Sequence, residues 1–505
     1  VTPIPQHDFD LELIDPKTKH AKWAVYLPAI STFMAKYIGR QKHHMRGFIP
    51  EDRIPSTFNN GIAGLNWMDK NDAYFFYSHN LYSAGHSDLT GQCKSESMLF
   101  ERDLPSTFVL ADSGGFQIGK GVWSADWTDP SCPKAMEKRT QVLDWMDNHL
   151  KANYGMILDV PPWLVSSAKA RDASGVKTFY DSVKATMINN EFFMTHRNGT
   201  CKFLNVLHGN NHAEAMEWYS LMKKFCDSKQ YEQPFNGWSF GNQTSSDPHL
   251  ALKLLVMQKF DGLLEPGIHD WLHFLGNSNL EWSLLLSDVQ RSIRKHHNPN
   301  LTISYDCATP FLSSTFGTIY YDTHQTGKEG WTFFVGPSID DKKYSADTRM
   351  LKDIFEQDGI YDYFQDSPIS ARLMGKDICP YGPTTLNKLG KIGRTSWDSV
   401  SYAYQMTHNV WEHIECVMEA NRQYDQGIRP PVMMTVAPGK KNVLYYDRQY
   451  CADIIDDIFA TDDYEKALTL VDHYDRYWMQ FKGRASCNTG PKTKNSLTAY
   501  NDLFE

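Results

Sequence analysis

Trp238-Ser239-Phe240-Gly241-Asn242 leads into Asp247-Pro248-His249 and the apolar run Leu250-Ala251-Leu252-Lys253-Leu254-Leu255. Leu272-His273-Phe274-Leu275-Gly276 comes next, then a long stretch from Leu280 to His297, then Leu301-Thr302-Ile303-Ser304-Tyr305-Asp306. The three short apolar runs read as strands buried on both faces. Pro248 suits a first helical turn, where its missing N–H costs nothing. Leu284, Leu285, Val289 and Ile293 form one helical stripe. The unit is therefore strand, helix, strand, helix, strand.

The same rhythm extends towards the N-terminus. Further strand candidates are Trp23–Leu27, Tyr74–Tyr77, Phe108–Leu110, Met156–Leu158 and Phe203–Leu207. Leu143, Met146 and Leu150 mark a helix between two of them. About eight such units over roughly 300 residues predict an α/β chain with a (β/α)₈ TIM-type barrel. An open doubly wound sheet would be expected to carry G-x-G-x-x-G after its first strand, and none is present. Past residue 320 the rhythm stops. Helix-like stretches at Ser396–Gln423 and Tyr450–Phe481 predict a mostly helical extension over 321–505, following a barrel over 1–320.

Composition narrows the function classes. The chain has 505 residues, 41% of them hydrophobic and 22% charged, which excludes general disorder. A formal net charge of −9 excludes a uniformly basic nucleic-acid coat, so a nucleic-acid partner would need a local basic surface. No run approaches ~18 apolar residues, so no membrane span is expected. The start of the chain is polar and Pro-rich, and no signal peptide is expected there. The nine cysteines are scattered singly without a C-x-x-C pair, which points to reduced thiols, a cytoplasmic setting and no finger-type zinc site.

Barrel chemistry gathers where strands end. Three carboxylates sit at such ends: Asp112, Asp159 and Asp306. His208, Gly241-Asn242 and Gly276 follow three other strands. One carboxylate alone could be a helix cap or turn former. Three together point to acid/base and nucleophilic work. In Asp112-Ser113-Gly114-Gly115-Phe116-Gln117 the paired glycines allow close backbone approach to a flat ligand. Phe116 can lie on its face.

That block resembles the D-S-G-G-[FY]-Q signature of the tRNA-guanine transglycosylases and their DNA-acting relatives, the 7-deazaguanine DNA transglycosylases. Tyr305-Asp306-Cys307-Ala308-Thr309-Pro310 resembles the family's F-D-C-x-x-P nucleophile block. Between them, Leu158-Asp159-Val160-Pro161-Pro162, Val206-Leu207-His208-Gly209, Phe240-Gly241-Asn242 and Phe274-Leu275-Gly276 fall where the family has its base-recognition turns. The likeness covers about residues 70 to 315. The family fold is a (β/α)₈ barrel, in agreement with the periodicity.

The resemblance implies base exchange, in which guanine leaves a nucleotide and a 7-deazaguanine replaces it with the backbone uncut. It implies Asp306 as nucleophile and Asp112 as general acid/base. It further implies that Asp159, Ser113, Gly114, Phe116, His208, Gly241, Asn242, Leu275 and Gly276 surround the base. No cofactor is implied. The family's tRNA-acting members carry C-x-C-x-x-C…H zinc ligands after the last strand, absent here, and His208 and Asn242 replace a Gln and a Gly. These departures point to the DNA-acting branch, whose partners would be duplex DNA with a flipped guanine and a free 7-deazaguanine base.

Two acid-free basic stretches are candidates for holding the DNA backbone. Lys388, Lys391 and Arg394 form one. Lys482 and Arg484, among Arg476, Lys492 and Lys494 and near Tyr477, Trp478 and Phe481, form the other. His408, Glu412, His413 and Cys416 lie close on one predicted helix without the second half of a metal site, and read as packing. Competing functions are a tRNA-guanine transglycosylase, a (β/α)₈ glycoside hydrolase suited by 14 Trp, and a non-catalytic accessory subunit. The Asp112–Gln117 block argues against the hydrolase, and retention of both Asp112 and Asp306 against the accessory subunit.

Overall fold

The computed structural model describes residues 7–42, 49–92, 94–325, 331–382, 395–434 and 448–485. Eight strands form its centre: β1 Val25–Pro28, β2 His79–Ser83, β3 Phe108–Asp112, β4 Tyr154–Met156, β5 Lys202–Leu207, β6 Gly237–Phe240, β7 Trp271–Phe274 and β8 Thr302–Cys307. All pair in parallel, in the order β1-β8-β7-β6-β5-β4-β3-β2. A parallel bridge between Ala29 and Leu81 links β1 to β2 and completes the ring. Helices follow on the outside: α1 Thr32–Lys42, α2 Pro133–Asp144, α3 Phe179–His196, α4 His212–Met222, α5 Pro248–Phe260, α6 Leu280–His296 and α7 Thr309–Thr315. The chain is a (β/α)₈ barrel with a helical extension.

Period-two alternation explains the barrel interior. Phe108, the first residue of β3, stacks on Trp271, the first residue of β7, at 4.3 Å between ring centroids. Tyr154 of β4 meets the same indole at 5.3 Å. These rings fill one end of the barrel. Two and four residues further along, the same face of each strand carries Leu110 and Asp112, His273, or Ser304 and Asp306. The apolar floor therefore leads through a polar middle layer to carboxylates at the C-terminal rim.

One predicted strand needs correction. Tyr74–Tyr77 is not the second barrel strand. Only Phe75–Phe76 is extended, and it pairs with His7–Asp8 outside the ring. The barrel uses His79–Ser83 instead. Its polar residues hid it: Asn80 is fully buried and accepts a 2.8 Å bond from Trp67 Nε1, so a polar side chain is satisfied inside an otherwise apolar wall.

The extension begins with an antiparallel hairpin, β9 Thr318–Asp322 and β10 Phe334–Pro337, so it is not helical throughout. The predicted boundary at residue 320 falls inside β9. Helix α8 Ser399–Asp425 packs on α7 and β9. Arg53 clamps its N-cap Asp398 with two bonds of 2.6 and 2.8 Å. The predicted helix from Tyr450 to Phe481 is three helices: α9 Cys451–Ala460, α10 Tyr464–His473 and α11 Asp475–Ala485. Asp463 caps α10 by accepting from Lys466 N–H, which restarts the helix there. α9 packs on α6, and α10 and α11 on α5. Among the described residues no helix is long and apolar enough to cross a membrane.

Candidate active site at the barrel rim

The strand ends enclose a cavity of about 640 Å³, within the usual range for a small-ligand site. Asp112, Asp159 and Asp306 all line it, with His208, Phe116, Leu275 and Gly276. Three carboxylates separated by up to 194 positions in the chain thus share one space, and each has a different support.

Asp112 ends β3. Its register partner in β2 is Ser83, whose hydroxyl donates to Asp112 Oδ2 at 2.6 Å. Protein encloses most of the carboxyl, and this burial, reinforced by Asp159 and Asp306 and opposed by the Ser83 bond, pushes its pKa up to about 6. The group can therefore hold or release a proton near neutrality.

Asp159 lies three residues beyond β4. Ser113 Oγ donates to its Oδ1 at 3.2 Å, and His208 Nε2 lies 2.7 Å from its Oδ2. The two glycines of the Asp112–Gln117 block serve different needs. Gly114 has φ +77°, and Gly115 passes so close to Asp159 that a Cβ would sit 2.7 Å from the Asp159 carbonyl oxygen.

Asp306 sits within β8. Its Oδ1 receives Gly276 N–H at 2.9 Å and faces His273 Nε2 at 3.1 Å. Among the described residues no hydrogen bond reaches Oδ2. A carboxylate with one oxygen held and the other turned to a cavity is equipped for nucleophilic attack or for stabilising positive charge.

Phe116 stands at the rim, 56% exposed, packed against Trp163 at 5.7 Å with Lys120 over its ring. Ser113, Gly114, Gly241 and Asn242 are not among the residues that line the cavity. Asn242 turns its amide away to Asn210 and adopts φ +55° and ψ −130°, a strained conformation held by Ser245 and Ser246 hydroxyls on its carbonyl oxygen.

Sequence reading missed Ser83, His273, Ser304 and Trp163. The signals were available in part. His273 interrupts the apolar run Leu272–Leu275, and Trp163 directly follows Pro161-Pro162.

Of the proposed backbone-binding residues, Lys388, Lys391 and Arg394 lie outside the described residues, as do the side chains of Lys482 and Arg484 on α11. The aromatics beside the latter pair are corrected: Tyr477, Trp478 and Phe481 are buried and pack the extension. Their ring polar groups point inward, Tyr477 OH to Val432 O and Trp478 Nε1 to Val471 O, so they present no stacking surface. His408 and His413 are engaged inside the protein, His408 with Ser367 and the Tyr320 carbonyl and His413 with the Tyr320 hydroxyl. Among the described residues no cluster of His, Cys, Asp and Glu is arranged to hold a metal ion.

No protein-family model matches the chain, and no curated protein matches it significantly.

Proposed function

We propose that this chain is a guanine transglycosylase of the 7-deazaguanine DNA branch, exchanging guanine in DNA for a free 7-deazaguanine base in a cytoplasmic setting. The observation that carries the reading is the convergence of Asp112, Asp159 and Asp306 on one cavity with unequal supports. Exchange chemistry needs these three roles from three separate groups. The Asp112–Gln117 and Tyr305–Pro310 blocks add the likeness to the family.

In the first half, Asp306 Oδ2 attacks C1′ of a flipped deoxyguanosine. The C1′–N9 bond breaks with its electron pair passing to the purine, and Asp112 supplies the proton the purine takes up. The sugar is then held as an ester on Asp306, as in a retaining glycosidase. In the second half, the incoming base loses its N9 proton to Asp112 and N9 attacks C1′. The C1′–Oδ2 pair returns to Asp306. Asp112 serves both directions because its pKa of about 6 leaves both protonation states accessible.

Asp159 accepts the N1–H and amino group of the base, with Ser113 and His208 orienting it. Leu275 and the Phe116–Trp163 pair enclose the ring. Lys120 at the rim, together with the basic stretches at 388–394 and 482–484, is assigned to the DNA backbone.

The test is exchange of labelled guanine into duplex DNA and into bulk tRNA, run side by side. Label in DNA alone is expected. Label in tRNA alone would move the substrate to the tRNA branch. Label in neither would refute the exchange reading.

A further inference from the structure

We infer that His273 is a positioning residue for Asp306, held in one tautomer by a hydrogen-bond chain that runs through the barrel core. The inference rests on the transglycosylase reading for its catalytic consequence, and on geometry alone for the tautomer.

His273 is fully buried and is the register partner of Ser304 in the β7–β8 ladder. Parallel pairing therefore sets both side chains on the inner face, one layer below Asp306. Ser304 Oγ receives the Trp271 Nε1–H at 2.8 Å and lies 2.8 Å from His273 Nδ1. Its other acceptor, the Leu272 carbonyl, is further at 3.4 Å. Trp Nε1 can only donate, so the serine oxygen accepts there and has one proton to give. Given to His273 Nδ1, it leaves the imidazole proton on Nε2, facing Asp306 Oδ1 at 3.1 Å. The opposite order would set a bare Nε2 lone pair against a carboxylate oxygen. The chain is thus directional: Trp271 to Ser304 to His273 to Asp306.

Two donors, His273 Nε2–H and Gly276 N–H, then meet on Oδ1. They hold the carboxylate plane and leave Oδ2 as the attacking atom. They also favour free carboxylate over ester, because hydrogen bonds to a full negative charge are stronger than those to an ester carbonyl. Removing the His273 donor should slow exchange and, at the same time, raise the share of protein trapped as glycosyl ester. A residue that merely filled space would lower rate and adduct together.

The experiment compares His273→Phe, a ring without a donor, with His273→Gln, which keeps one. Duplex DNA and labelled guanine are the substrates, and denaturant-resistant protein–DNA adduct is measured beside kcat and KM. Loss of one charge-assisted bond predicts a fall in kcat of about 10- to 100-fold for His273→Phe, with KM for guanine little changed. The adduct fraction should rise, and His273→Gln should recover both quantities in part. A His273→Phe rate within about threefold of the original, or adduct falling in step with rate, overturns the catalytic role. Independently of any activity, ¹⁵N spectra of the imidazole groups should show His273 as the Nε2–H tautomer. An Nδ1–H tautomer overturns the inference even if exchange is observed. If the unaltered protein exchanges nothing, the proposed function and the catalytic role fall together, and the tautomer alone decides the donor chain.

Discussion

Asp112→Asn should make the protein more stable at neutral pH, and the gain should vanish in acid. The carboxyl of Asp112 is pushed from 3.8 to about 6, chiefly by burial. A folded-state pKa raised above the unfolded value means that the folded state binds the proton more tightly. Its stabilising effect is complete below the unfolded value and is lost as pH rises through about 6. Above that, an enclosed negative charge remains beside Asp159 and Asp306. That displacement of the pKa corresponds to roughly 3 kcal/mol, an upper figure because the carboxyl edge reaches the cavity. The amide has nearly the same shape, cannot ionise, and can keep a bond to Ser83. Urea denaturation of both proteins from about pH 5 to pH 8 checks this. The variant should be favoured by about 1–3 kcal/mol at the alkaline end, with the difference shrinking towards pH 5. A stability difference that does not change with pH would show that Asp112 is not strained by its charge, and would remove the basis for its acid/base role. The same variant should lose exchange activity, an example of stability held back at a functional site.

Asp306→Asn should abolish both exchange and the denaturant-resistant adduct, by about 10³-fold or more in rate, measured with labelled guanine and duplex DNA. Gly115→Ala should disrupt the site, since the new Cβ would lie 2.7 Å from the Asp159 carbonyl oxygen; the expected loss is about 2–3 kcal/mol of stability together with guanine affinity, read by denaturation and equilibrium binding. Asn242→Gly should stabilise the protein by about 1 kcal/mol in denaturation, because relief of the φ +55° strain outweighs the greater freedom of glycine in the unfolded chain. A destabilised Asn242→Gly would mean that the Asn210 contact outweighs the backbone strain.

Much of the barrel was legible because its signals are local. Seven of the eight strands were found close to their observed positions from short apolar runs such as Phe203–Leu207 and Trp238–Phe240. The eighth, His79–Ser83, was missed because buried Asn80 and Ser83 break the apolar pattern that marks a strand. The helix from Tyr450 to Phe481 was drawn too long, since Asp463 can read either as a helical residue or as the cap it proves to be. The aromatic cluster Tyr477, Trp478 and Phe481 shows the same ambiguity. A stacking surface and a packed helix face have one composition, and only burial separates them.

The alternation of strand and helix, and with it the placing of Asp112, Asp159 and Asp306 at or near strand ends, is written in local stretches of the chain. Each of these depends on residues within a few positions of one another, where backbone geometry sets the period. Tertiary structure alone decided which groups serve those carboxylates. Ser83 reaches Asp112 across the β2–β3 ladder, His208 reaches Asp159 from the end of another strand, and His273 reaches Asp306 across β7–β8. These partners lie 29, 49 and 33 positions away, and a shift of a single residue in strand register would turn a ladder partner to the opposite face. The pKa near 6 at Asp112 has the same origin: it comes from enclosure by the closed barrel and from neighbouring charges brought in from distant strands.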